Sequence, residues 1–160
     1  MNTLRGGIEV EDAVQSLAEA EASTEDELSP SNRDPYSPDD EEEYYRLVVK
    51  MSSHELVRRL NTHLGATLVA GLAGVKDRKL PYKWATANGP EPRDEALQRL
   101  QMAMRVWMAL SAADNDYVAR SWFVGMNPRL EEQSPVLALR AGRLAEVKAA
   151  SRSFVEGIDE

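Results

Sequence analysis

Apolar positions recur at intervals of three and four along most of the chain, and no segment sustains one-by-one alternation, so the pattern predicts an all-α protein. Tyr44, Tyr45, Leu47 and Val48 suggest a lead-in helix ending near Met51. Ser52 with Glu55 three residues on has the form of a capping box. It opens a helix with Leu56, Leu60 and Leu64 on one face, Arg58 and Arg59 pointing elsewhere, and Gly65 as its stop. Residues 66–73 form a short apolar helix, Gly74 and Val75 a turn, and residues 76–84 the start of another helix with Asp77 or a neighbour at its cap. Trp84 is expected to face inward.

Asn88, Gly89 and Pro90 break the chain, and the longest helix follows over about 93–113. Leu97, Leu100, Met104, Trp107 and Ser111 form its stripe, widened by Ala103, Val106 and Leu110. A Met and Trp stripe at this spacing is core packing. Asp114, Asn115 and Asp116 cap a helix that runs through Val118 and Trp122 until Asn127 and Pro128 stop it. Ser134 and Pro135 restart a helix of about two turns, Ser as hydroxyl cap and Pro at the first helical position, where its missing N–H costs nothing. Gly142 suits the left-handed residue after that helix. A last helix, 143–154, carries Leu144, Val147, Ala150 and Phe154, and Gly157 ends it.

Before residue 45 the pattern fails. Residues 1–45 hold fourteen Asp and Glu against two Arg, whereas residues 46–160 hold seventeen Lys and Arg against thirteen acids. The whole-chain net charge of -8 therefore describes neither part. With few aliphatic residues and three X-Pro steps, residues 1–44 read as a disordered acidic arm unable to offset chain entropy. Within it, residues 10–22 put Val14, Leu17 and Ala18 on one helical face. Asp39 to Glu43 read either as a solubilising run or as a competitor of phosphate for the basic part of the chain.

The absence of Cys removes disulfides and thiol catalysis and fits a cytoplasmic location. No apolar run reaches the roughly 18 residues that span a bilayer, and the first residues have no signal-peptide core, so no membrane partner is expected. His54 and His63 lack metal-ligand spacing and read as surface or cap residues. LGATLVAGLAG has no Lys-Ser/Thr behind its glycines, so it is not a phosphate loop. With no nucleophile, base or metal set in view, neither an enzyme nor a cofactor is expected.

Helix, small-residue turn and a second helix rich in Lys, Arg and Tyr is the layout of a helix-turn-helix, with Lys76, Arg78, Lys79, Tyr82 and Lys83 as DNA contacts. Pro81 permits a helix only if it lies in the first turn. The second helix then starts as late as Leu80, and Lys76, Arg78 and Lys79 fall in a loop suited to phosphates rather than bases. A structural hairpin without DNA contact is the other reading of the same residues.

Trp122-Phe123, Asn127-Pro128, Leu130, Ser134-Pro135, Leu137, Leu139, Gly142 and Val147 together resemble the toxin-binding domain of the Xre/MbcA/ParS antitoxin family. The segment from Gly74-Val75 to Trp84 resembles the Xre-like helix-turn-helix that accompanies it, and the likeness covers roughly residues 52–156. The resemblance implies a toxin-binding-like region over 113–157, an Xre-like region over 45–112, a homodimer, operator DNA, and a cognate RES-domain toxin that consumes NAD. Asn127, Arg129, Leu130, Arg140 and Arg143 are the residues expected to meet that toxin, with Leu130 and the three arginines as exposed anchors. Trp122 is expected to pack in the core. A stand-alone transcription regulator and an interaction protein without DNA binding are the alternatives.

Overall fold

A computed structural model describes residues 34–157, and the expectations for the arm before Asp34 lie outside the described residues. Within that range the chain forms eight α-helices and no strand: α1 Pro38–Lys50, α2 Ser53–Leu64, α3 Ala66–Ala73, α4 Leu80–Trp84, α5 Asp94–Ala113, α6 Asp116–Val124, α7 Pro135–Arg140 and α8 Leu144–Glu156. A single 3-10 turn, Pro128–Leu130, lies between α6 and α7. The all-α expectation holds. No helix among the described residues is long and apolar enough to cross a membrane.

The helix starts follow local side-chain chemistry. Ser52 Oγ accepts from Glu55 N–H at 3.2 Å, Asn115 Oδ1 from Val118 N–H at 3.0 Å and Ser134 Oγ from Leu137 N–H at 3.3 Å. Glu55 does not complete a capping box, because its carboxylate pairs with Arg59 at 2.9 Å instead. Residues 38–44, expected to belong to a disordered arm, are helical: Ser37 caps α1, accepting from Asp40 N–H at 3.2 Å, with Pro38 at the first helical position. Asp39 to Glu43 are consequently helical. Asp40 is buried and Glu41 pairs with Lys148 and Arg152 at 3.5 and 3.3 Å, so neither is a loose competitor for phosphate.

Helix α5 is the central rod, packing against α1, α2, α3, α6, α7 and α8. Leu100, Ala103, Met104, Val106, Trp107 and Leu110 of the predicted stripe are buried, while Leu97 and Ser111 at its ends are half-buried. Around it lie Leu56, Val57, Leu60 and Leu64 of α2, Val69 and Leu72 of α3, Phe123 of α6, Leu139 of α7 and Val147 of α8. Each fully buried Leu or Val contributes roughly 2 kcal/mol relative to an exposed one. Gly71 has a specific task here: a Cβ on it would sit 3.3 Å from Val136 Cγ1, so its bare backbone lets α3 and α7 approach closely.

The two histidines, expected as surface or cap residues, are half-buried and brace helices. His54 Nδ1 lies 2.7 Å from the Trp84 carbonyl oxygen, tying α2 to α4, and the His63 ring stacks on Trp107 at 4.7 Å.

Candidate functional site

The segment joining α6 to α7 is held by its own hydrogen bonds. Helix α6 ends at Val124, three residues before the expected Asn127 stop, and Gly125 takes an extended conformation. Asn127 then does three things. Its N–H donates to the Gln133 carbonyl at 3.1 Å, its carbonyl accepts from Leu130 N–H at 2.9 Å and Glu132 N–H at 3.0 Å, and its Oδ1 accepts from Arg129 N–H at 3.0 Å. These bonds fold residues 127–133 into a closed turn, in which Glu131 and Glu132 both have left-handed backbones at φ 58° and 65°. Such angles cost about 1 kcal/mol or more for a non-glycine residue, so the surrounding bonds must hold them.

The expected toxin contacts separate into two groups at this turn. Leu130 was expected as an exposed anchor, but it is fully buried and serves as the plug beneath the turn. Asn127 is its hydrogen-bonding hub. Arg143 was also expected to be available, yet its guanidinium bonds Glu146 and Gln133 and lies 3.8 Å from Glu131. That pairing holds the Glu146 carboxyl below the usual carboxylate range. Arg129 and Arg140 remain exposed, Arg140 beside the Gly74 turn, where a Cβ on Gly74 would lie 3.6 Å from its Cγ.

Sequence reasoning missed the apolar part of this surface. Val124, the last residue of α6, and Met126, on the lead-in to the turn, are 57% and 79% exposed. They attract no notice in the sequence because their exposure depends on α6 stopping early. Beside them lies a groove of about 300 Å³ lined by Trp122, Met126, Pro128, Arg129 and Phe154. Trp122 is buried in the core as expected, meeting Phe123 edge-on at 5.4 Å. Its indole N–H has no hydrogen-bond partner among the described residues.

The second surface is the hairpin from Gly74 to Trp84. Gly74 is left-handed at φ 78° and turns the chain, and Asp77 Oδ1 accepts from Lys79 N–H at 2.9 Å. Helix α4 then has only five residues. Pro81, which lacks a donor, has to stay in its first turn, so the helix starts no earlier than about Leu80, and downstream the chain closes into a turn with Gly89 N–H on the Thr86 carbonyl at 2.9 Å. A full recognition helix is therefore absent from 76–84; five residues span only about 7 Å along their axis. Pro81 and Trp84 are buried, with Asn61 Nδ2 donating to the Pro81 carbonyl at 3.1 Å.

Lys76, Arg78, Lys79, Tyr82 and Lys83 are nonetheless all exposed on this hairpin. None of the four cations has an ion-pair partner among the described residues. Lys76, Arg78 and Lys79 precede α4, in the loop, and Tyr82 and Lys83 lie on it. Among the described residues no group of three or more His, Asp or Glu is placed to hold a metal ion. Compared with known proteins, the chain matches no family model, no curated protein and no solved structure.

Proposed function

We propose that the chain is an antitoxin whose α6–α7 turn docks on a protein toxin of the RES-domain, NAD-consuming type, acting by binding and without catalysis of its own. The observation that carries the binding role is the juxtaposition of exposed Val124 and Met126 with a turn whose shape is fixed by Asn127. Apolar anchors on a rigid, cation-bearing surface are what a protein interface concentrates its affinity on. The toxin class rests on the resemblance in residues 122–147. In this reading Asn127, Leu130 and Arg143 keep the turn in shape, while Val124, Met126, Arg129 and Arg140 make the contacts.

Co-expression with a RES-domain reading frame tests the proposal. Rescue of growth and a co-purifying complex are expected, and Met126→Asp should lose both while remaining folded. Failure to form a complex with any RES-domain partner encoded beside this chain would remove the toxin assignment.

A DNA-binding regulator is the second reading, favoured by the four exposed cations on the 76–83 hairpin, which have no ion-pair partner among the described residues. With α4 so short, that surface suits phosphates better than base edges.

A further inference from the structure

Helix α1 buries one aliphatic side chain, Val48, and leaves three large apolar ones exposed: Tyr45 at 55%, Leu47 at 45% and Val49 at 53%. Between these flanks runs a charged stripe. Asp39, Glu43, Arg46 and Lys50 follow one another at spacings of four, three and four, which puts them on one helical face, and all four are exposed. Asp39, Glu43 and Lys50 have no ion-pair partner among the described residues; Arg46 reaches Glu42 at 2.9 Å on the outside of the same helix.

The order of signs along this stripe is acid, acid, base, base. Laid parallel to a copy of itself it would set like charge against like. Laid antiparallel, with a two-fold axis passing between Tyr44 and Tyr45, it sets Asp39 opposite Lys50 of the copy and Glu43 opposite Arg46 of the copy. Both pairs are satisfied by the same axis and are repeated by symmetry. That is the self-complementarity an isologous contact requires.

We propose that α1 is a self-association surface, and that its occupant is the α1 of a second copy of this chain, antiparallel to the first. The ion pairs fix register and direction, and Tyr45, Leu47 and Val49 supply the apolar contact beside them. This places the dimer contact outside residues 52–156, where the family resemblance lies, and it does not depend on a toxin or on DNA.

Sedimentation equilibrium on the full chain over a concentration series tests the proposal. The mass should rise from monomer to dimer. Glu43→Arg and Arg46→Glu should each weaken dimerisation tenfold or more, since each sets like charges face to face. The double variant should return to within about twofold of the wild type, and an equimolar mixture of the two single variants should form a heterodimer as tightly. Circular dichroism confirms that each variant stays helical. Leu47→Ser, at an exposed position, should weaken the dimer as well, and it decides the matter should charge reversal disturb the helix. A wild type that stays monomeric, or single reversals that associate like the wild type, would overturn the proposal.

Discussion

The hydroxyl of Tyr36 is hydrogen-bonded to that of Ser151, a residue 115 positions further along the chain, and both side chains are buried. Arg152 completes the contact, donating to the Tyr36 carbonyl at 3.0 Å with its guanidinium 5.6 Å from the Tyr36 ring centroid. This is the clamp that fastens the start of α1 onto α8. Burial pushes the Tyr36 phenol up from 10.0 to about 12. The folded state thus favours the neutral phenol. Its contribution is complete below pH 10 and is lost as pH rises from about 10 to about 12, by on the order of 2 kcal/mol. Urea titrations of the wild type and Tyr36→Phe at pH 8 and 11 should show a steeper loss for the wild type; equal losses would contradict the assignment.

Leu130→Ala and Met126→Ala separate fold from contact. The first opens a cavity under the turn and should cost about 3 kcal/mol of stability in chemical denaturation. The second removes an exposed side chain and should cost about 0.5 kcal/mol or less, while lowering affinity for the proposed toxin partner tenfold or more. Loss of binding in Leu130→Ala alone would assign the turn a structural part only.

Gly89→Ala should destabilise the chain by about 2 kcal/mol or more, because the added Cβ would overlap the Lys83 carbonyl oxygen, and backbone cannot move aside as a side chain can. Gly142→Ala is the useful contrast. A Cβ there meets nothing within 4 Å, but φ is +82°, so the cost is that of the left-handed backbone, about 1 kcal/mol. Thermal melts of both variants should rank them in that order.

If the hairpin meets DNA, Lys76→Ala, Arg78→Ala and Lys79→Ala should each weaken binding to promoter and random duplex alike. Each should also lower the slope of log affinity against log salt by about one. Fluorescence anisotropy at several salt concentrations reads both quantities. A loss confined to one sequence would mean base reading.

The helices were legible in the sequence wherever a side chain itself makes the boundary. Ser52, Gly65, Asn115, Ser134 and Gly157 each act locally, and each stands where its residue type predicts. What was not legible depends on distant partners. Ser37-Pro38 looks like one more break in an acidic arm until Ser151 and Arg152, over a hundred residues later, supply the contacts that hold α1 down. Leu130 belongs to the same class: a leucine in a polar loop reads as exposed, and only the packing of α8 against the 3-10 turn shows that it is covered. Among the candidate contacts, exposure of Lys76, Arg78, Lys79 and Lys83 followed from charge alone, whereas the shortness of α4 required the turn that Gly89 closes.

The closed turn at Asn127 bears on kinetics. Its left-handed Glu131 and Glu132 are already in place, fixed by bonds within the same seven residues. A partner that docks on Met126 and Arg129 would therefore lose little affinity to ordering the turn. Its approach should be a single bimolecular step, with an observed rate that climbs linearly with partner concentration and shows no plateau from a slow rearrangement.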